Sequence, residues 1–168
     1  FAQQCAGGSR ALMAIVKANA YGHGALDCAL AAADAGVGYF GVARIDEAQQ
    51  LRAGGLTAPV LIIGPPNQAQ IQDALRCSIT LTVATEQAVD AVLHAARTAG
   101  VRATVHLKVD TGLHRYGALP DLALALARRP LPCRWVALGG SMVASLLTLT
   151  MAFKVIASGH QVEGVLFR

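Results

Sequence analysis

The chain has 168 residues, of which 54% are hydrophobic and 14% are charged, so disorder is excluded because this much apolar surface cannot stay solvated. Basic residues exceed acidic ones by 14 to 10 and are spread along the chain, which argues against a nucleic-acid partner. The length suits one ordinary domain or a piece of a larger one, and the low charge indicates a buried core, a membrane segment or a missing polar partner.

The cysteines and the N-terminus bear on the cellular compartment. Cys5, Cys28, Cys77 and Cys133 lie far apart, with no C-x-x-C pair and no spacing typical of a metal site. We therefore expect free thiols, a reducing cytoplasmic location and no bound metal. The N-terminus shows neither a signal peptide nor an initiator Met, and from the missing Met we expect an incomplete chain.

Short apolar, β-prone runs alternate with Ala- and Gln-rich stretches of helical pattern along most of the chain. The predicted strands are Leu12–Val16, Tyr39–Ala43, Val60–Ile63, Ile79–Val83 and Thr104–Val109. The predicted helices are Leu26–Ala35, Asp46–Ala53, Gln68–Leu75 and Glu86–Ala99. The predicted caps are Asp46 and Thr85 at helix starts, and Gly36, Gly54 and Gly100 at left-handed helix ends.

The predicted strands are continuously apolar rather than alternating, which is typical of parallel strands buried on both faces. Five β-α units of this kind fit a doubly wound sheet or the first part of a (β/α)8 barrel, and both place chemistry after the carboxyl ends of the strands. No G-x-G-x-x-G follows a predicted strand, which disfavours a dinucleotide-binding sheet. A whole barrel needs about 250 residues, so we predict an α/β fold with a partial (β/α)8 TIM-type barrel.

The β-α pattern fails after Pro130. The run from Trp135 to Phe153 carries no charged residue and is long enough for a membrane-spanning helix, although Gly139, Gly140 and several hydroxyl residues argue against one. A buried barrel segment and a foreign segment joined to the domain are the two other interpretations, and membrane insertion is not the favoured one. We therefore predict a barrel domain over residues 11–130 and an apolar segment of uncertain origin over residues 131–168.

Lys17 ends the first apolar run and so is predicted to lie at the carboxyl end of the first strand. A partly desolvated lysine there can supply a neutral amine that attacks an aldehyde, although a surface lysine that merely ends a strand is the simpler interpretation. The residues from Lys17 to Gly24 predict a compact loop of small residues that lets the backbone approach a ligand. Within it, the Tyr21 hydroxyl can reach a phosphate, whereas His23 is equally compatible with loop packing.

The second polar cluster follows the fifth predicted strand. Alternation puts His106, Lys108 and Asp110 on one side of that strand. Facing a barrel interior, Lys108 would be a buried cation that needs an anionic partner or covalent neutralisation. Arg115 lies beyond a predicted turn, and its planar guanidinium suits a carboxylate or a phenolate. The alternative is a half-exposed edge strand with solvated charges.

These two clusters resemble a known family. Residues 16–24, VKANAYGHG, resemble the pyridoxal-phosphate attachment motif of the alanine racemases, and residues 105–117, VHLKVDTGLHRYG, are similar to the family's second signature. Further similar stretches lie between them, at Gly41–Ala43, Asp46–Ala48, Leu51–Arg52 and Ala58–Gly64. The resemblance covers residues 11–130, and only Gln161–Val165 echoes the family beyond them.

The resemblance implies a fold-type III enzyme that uses pyridoxal 5′-phosphate to interconvert L-alanine and D-alanine for peptidoglycan. It implies that Lys17 holds the cofactor as a Schiff base and moves the α-proton, and that Tyr21 binds the cofactor phosphate. Arg115 would contact the cofactor phenolate and the substrate carboxylate, oriented by a carbamylated Lys108.

The resemblance also implies a homodimer, in which a tyrosine from a second, β-rich domain of the partner subunit serves the opposite face of the substrate. Neither that domain nor the later barrel strands are recognisable in the sequence, so we expect a fragment with little activity. The alternatives are a non-catalytic pyridoxal-phosphate-binding barrel and another fold-type III enzyme that acts on D-amino acids.

Overall fold

The computed structural model describes residues 11–127 and the backbone of residues 133–138, and these form one parallel sheet with its crossover helices. The strands follow the chain in the order β1-β2-β3-β4-β5-β6, and each pairs in parallel with the next. They are β1 Met13–Ile15, β2 Tyr39–Val42, β3 Val60–Ile62, β4 Thr80–Val83, β5 Ala103–Lys108 and β6 Cys133–Leu138. The helices are α1 Lys17–Tyr21, α2 Ala25–Asp34, α3 Ile45–Ala53, α4 Gln68–Arg76, α5 Glu86–Ala99 and α6 Pro120–Ala127.

The five predicted strands and four predicted helices are confirmed, with ends that differ by at most one residue. The prediction missed α6 and the sixth strand, Cys133–Leu138, which pairs with β5 from Ala103↔Cys133 to Lys108↔Leu138, whereas α1 lies within the predicted compact loop. That strand occupies the start of the apolar segment, whereas most of Trp135–Phe153 lies outside the described residues. Within the described part of the chain, no helix has the length and hydropathy needed to cross a membrane.

Apolar side chains on both faces of the sheet account for its parallel pairing. Phe40, Val42, Val60 and Val83 are fully buried on the central strands, and Leu51 of α3 is fully buried against them. Each fully buried side chain of this size contributes about 1.5–3 kcal/mol to folding. The high hydrophobic content of the described residues therefore reflects an ordinary core sandwiched between a sheet and its helices.

The helix starts confirm one predicted cap and correct another. The Thr85 hydroxyl accepts a hydrogen bond from the Ala88 amide at 3.2 Å, as an N-terminal cap does. Asp46 is not a cap, because α3 already begins at Ile45 with Arg44 as the capping residue. Asp46 lies instead in the first turn and forms an ion pair with the Arg44 guanidinium.

The helix ends follow the predicted glycines at two of three places. Gly100 has a φ of 67° and Gly36 a φ of 89°, both in the left-handed region. The prediction for Gly54 is wrong, because Gly54 has a φ of −79° and the left-handed residue is the following Gly55, with a φ of 92°. Because Gly54 and Gly55 are consecutive, the sequence pattern alone does not show which of them ends the helix.

Arg52 at the end of α3 forms hydrogen bonds with the loops that precede β3 and β4. Its guanidinium donates hydrogen bonds to the carbonyl oxygens of Leu56 and Ala58 at 2.6 Å each, of Cys77 at 3.3 Å and of Ser78 at 3.4 Å. Burial lowers the pKa of Arg52 from its ordinary value, because charge is less stable away from water. The four carbonyls together satisfy this partly buried cation.

His106 on β5 makes folding dependent on pH. It is 5% exposed, its Nδ1 has no hydrogen-bond partner among the described residues, and burial lowers its pKa from 6.5 to about 4. The unfolded chain therefore takes up a proton before the folded chain does. Stability is fully present above about pH 6.5 and falls as the pH drops towards about 4, by up to about 3 kcal/mol.

We predict that the wild-type chain loses about 2 kcal/mol of unfolding free energy between about pH 7.5 and about pH 5, measured by urea denaturation. The His106→Leu variant should lose much less, because it has no buried imidazole to protonate. His94→Leu removes an exposed histidine of α5 and should keep the wild-type pH dependence. An unchanged pH dependence in His106→Leu would contradict this assignment.

Candidate active site

Lys17 lies where the sequence placed it, at the carboxyl end of β1. The strand ends at Ile15, and the buried Val16 donates its amide to the Gly41 carbonyl on β2 at 2.9 Å. The hydrogen bond of Val16 lies at the edge of the sheet, and the half-buried Lys17 is the next residue. The lysine is therefore anchored on its N-terminal side by the sheet itself.

The residues after Lys17 form a left-handed helical turn rather than an ordinary loop. Ala18, Asn19, Ala20 and Tyr21 have φ values of 50°, 55°, 52° and 55°. Each such residue with a side chain costs roughly 1–2 kcal/mol relative to the right-handed conformation. The predicted compact loop is thus present, but four consecutive strained residues require contacts from outside the turn to keep it in place.

Glu47 supplies such contacts from the first turn of α3. Its Oε1 accepts a hydrogen bond from the Ala18 amide at 2.7 Å, and its Oε2 accepts from the amides of Ala43 at 2.8 Å and Arg44 at 3.1 Å. The bond from Arg44 is the usual contact between the third residue of a helix and its capping residue. The bond from Ala18 joins the left-handed turn to the end of β2.

Asn19 holds the turn from inside. Its side-chain Oδ1 accepts from the Ala25 amide at 2.8 Å, which satisfies a donor at the start of α2. Its carbonyl oxygen accepts from the amides of Gly22 and Gly24 at 3.0 Å each. The turn and the helix that follows are therefore joined through one asparagine.

Tyr21 projects from the turn with its ring 64% exposed. The Lys17 ammonium lies 5.9 Å from the centroid of that ring, a separation that permits a cation–π contact. The two side chains predicted to act together are therefore neighbours in the structure. His23 is exposed and contributes its carbonyl oxygen to the Cys28 thiol at 3.6 Å.

The second cluster lies on a central strand, because β5 pairs with β4 on one side and β6 on the other. This pairing excludes the predicted alternative of an edge strand. His106 is buried and Lys108 is half-buried, while the intervening Leu107 is also buried. Strand β5 is therefore covered on both faces.

Lys108 lies beside an aromatic ring. Its ammonium lies 5.4 Å from the centroid of the Tyr116 ring, and no ion pair among the described residues involves it. The Tyr116 hydroxyl donates to the Thr82 carbonyl on β4 at 3.3 Å, and burial raises the pKa of Tyr116 to about 12. A neutral, fixed ring therefore faces Lys108. No anionic partner of Lys108 occurs among the described residues, and covalent neutralisation, the other expectation, stays a prediction.

The loop after β5 is shaped by Asp110 and Gly117. Asp110 accepts hydrogen bonds from the amides of Gly112 at 3.0 Å and His114 at 3.1 Å, and these bonds lower the pKa of its carboxyl. A Cβ on Gly117 would lie 2.5 Å from the Asp110 backbone nitrogen, so only glycine fits there. The closed loop confirms the predicted turn and leaves Arg115 exposed.

The structure therefore brings all four predicted site residues to the carboxyl edge of one sheet, in two groups. Lys17 and Tyr21 follow β1, whereas Lys108 and Arg115 belong to β5 and its loop, with three strands between the groups. No group of three potential metal ligands occurs in the described part of the chain. The arrangement offers an amine, a phenol and a guanidinium to a ligand that carries complementary groups.

Sequence comparison decides the family. The family model described as alanine racemase, N-terminal domain, matches residues 1–144. The chain belongs to this family. The parallel sheet is accordingly part of a TIM-type barrel, as predicted, and the two motifs lie on its carboxyl edge.

Curated relatives agree with the family assignment. An alanine racemase from Desulforamulus reducens is 49% identical over 115 residues, which are 68% of this chain and 31% of the relative. An alanine racemase from Mycobacterium tuberculosis is 47% identical over 113 residues, covering 67% of this chain and 29% of the relative. The chain thus matches about a third of the length of these relatives.

Solved structures share the fold. An alanine racemase from Clostridium difficile 630 superposes with a TM-score of 0.85 at 24% identity, covering 95% of this chain and 46% of that one. The alanine racemase from Streptomyces coelicolor A3(2) has a TM-score of 0.78 at 30% identity, covering 96% of this chain and 48% of that one.

We predict that Tyr116→Phe lowers the unfolding free energy by about 1 kcal/mol, because the hydrogen bond to the Thr82 carbonyl is lost while the ring stays. Denaturation in urea measures this effect. Tyr39→Phe is the matched control, since the half-buried Tyr39 hydroxyl makes no such bond among the described residues, and it should change stability much less. Equal losses in the two variants would contradict the role given to Tyr116.

Proposed function

We propose that this chain is the cofactor-binding part of a pyridoxal-phosphate-dependent alanine racemase, with Lys17 as the residue that carries the cofactor covalently. The observation that supports this most directly is the placement of Lys17 at the carboxyl end of β1, before a left-handed turn that Glu47 joins to β2. A chain of this family with that geometry presents one amine in a defined position at the edge of the barrel.

The described side chains fit pyridoxal phosphate by their chemistry. The Lys17 amine suits the aldehyde, and the exposed Tyr21 hydroxyl suits the phosphate. The exposed Arg115 suits the phenolate or the substrate carboxylate, because a guanidinium is planar and always charged. No carboxylate among the described residues forms an ion pair with Arg115, so its charge is available to a ligand.

Bound pyridoxal phosphate supplies a sink for the electron pair that remains when an amino acid loses its α-proton. The part of Lys17 in the reaction is to take that proton on its Nζ from one face of the substrate in one direction of the reaction, and to deliver a proton to the same face in the reverse direction. Racemisation also needs a proton acceptor on the opposite face. By resemblance to the family, we assign that acceptor to a tyrosine of a second domain, contributed by the partner subunit of a homodimer.

Lys108 supports the site rather than touching the substrate in this proposal. Carbamylation would join carbon dioxide to the Lys108 Nζ with loss of two protons from the ammonium group, and so would replace a cation by an anion that orients Arg115. The neighbouring Tyr116 ring can face either form, because its hydroxyl is occupied by the Thr82 carbonyl.

We predict that incubation with pyridoxal phosphate followed by borohydride reduction labels Lys17, as read by peptide mass spectrometry. The reduction makes the linkage permanent, so the labelled residue reports the attachment site. Lys17→Ala should abolish specific labelling, whereas Lys154→Arg is the matched control and should keep it. Predominant labelling of a lysine other than Lys17 would overturn the proposed function.

We also predict that the 168 residues by themselves interconvert L-alanine and D-alanine slowly or not at all, because the acceptor for the second face is assigned to another domain. A coupled assay for D-alanine formation from L-alanine measures this. Lys17→Ala is the background control. Turnover typical of enzymes, on the order of 10 per second, would contradict the need for that second domain.

A further inference from the structure

We propose that Glu47 is a positioning residue for Lys17, acting through the backbone that follows it. This inference rests on the proposed function of Lys17 as the attachment residue, and it assigns a role to a side chain that lies on a different β-α unit. Glu47 touches neither substrate nor cofactor in this proposal. It sets the direction in which the Lys17 amine is presented.

Glu47 accepts hydrogen bonds from two different parts of the chain. One carboxylate accepts three amide hydrogen bonds, from Ala43 and Arg44 at the end of β2 and from Ala18 after β1. Capping of α3 explains the bond from Arg44 alone. The 2.7 Å bond from Ala18 spans 29 residues of sequence and contributes nothing to α3. It therefore serves the turn.

The turn that follows Lys17 is strained. Four consecutive residues, Ala18 to Tyr21, hold positive φ values that each disfavour an L-amino acid. Such a conformation persists only when the surroundings over-determine it. The Ala18 amide belongs to the peptide group that joins it to Lys17, so its bond to Glu47 fixes the orientation of that peptide group. Hydrogen bonds to a carboxylate are about twice as strong as neutral ones, which suits this task.

Only a carboxylate can accept all three of these hydrogen bonds. Both oxygens of Glu47 are acceptors, one for Ala18 and one for Ala43 and Arg44. Glutamine has a single acceptor oxygen and a donor NH2 group in the other place. Whichever way it turns, Glu47→Gln must set a donor against a backbone amide. The glutamine side chain can therefore accept from the Ala18 amide or from the amides at the end of β2, but not from both.

The test compares Glu47→Gln with Glu86→Gln, which makes the same change in the first turn of α5. Two quantities are measured on the whole chain: hydrogen–deuterium exchange of the Ala18 amide, and the rate at which pyridoxal phosphate and borohydride label Lys17 relative to Lys154. We expect Glu47→Gln to accelerate Ala18 exchange and to lower the labelling ratio, each about tenfold, the change that corresponds to a bond of about 1.4 kcal/mol. Glu86→Gln should change neither.

The outcomes separate this inference from the function on which it rests. Absence of Lys17 labelling in the wild-type chain overturns the proposed function. Labelling of Lys17 at the wild-type rate in Glu47→Gln, with the amides of β4 still protected, overturns only the positioning role. If β4 loses protection in Glu47→Gln, the variant has unfolded and Glu47→Asp replaces it, because aspartate keeps both acceptor oxygens. The inference is then overturned if the folded Glu47→Asp variant has an unprotected Ala18 amide and still shows the wild-type ratio of Lys17 to Lys154 labelling.

Discussion

The candidate site depends on a strained turn held between two strands. From Ala18 to Tyr21 the backbone runs left-handed, a conformation that costs several kcal/mol in sum and that isolated sequence would not adopt. The pairing of Val16 with β2 fixes its start, and Asn19 fixes its exit into α2. Glu47 joins its first peptide group to the neighbouring strand. The position of Lys17 is therefore a property of three packed elements.

The parallel sheet places this turn at the same edge as the residues that follow β5. Every strand ends at the same edge, so residues that follow β1 and β5 reach one surface although many residues separate them in sequence. The strands are apolar and the helices that cover them are rich in alanine, which also explains why so few of these residues are charged. At that edge, Lys17, Lys108 and Arg115 form no ion pair with any described residue.

Sequence patterns sufficed for five strands, four helices and the placement of Lys17 and Lys108 near strand ends, because apolar periodicity and strand ends are local properties. The roles of the four site residues stay predictions. The contacts that hold the site were missed because they are not local: Glu47 meets Ala18 across 29 residues, and Tyr116 meets Thr82 across 34. Glu47 did carry a weak signal, since it lies three residues after the cap of α3. The sixth strand was missed because its apolar residues merge with a longer uncharged run.

The most direct test of the account is a crystal structure of the chain with pyridoxal phosphate. We predict continuous electron density between the Lys17 Nζ and the aldehyde carbon, with the phosphate within hydrogen-bond distance of the Tyr21 hydroxyl and the left-handed turn unchanged. Density joined to Lys108, or a cofactor bound away from the carboxyl end of β1, would contradict it.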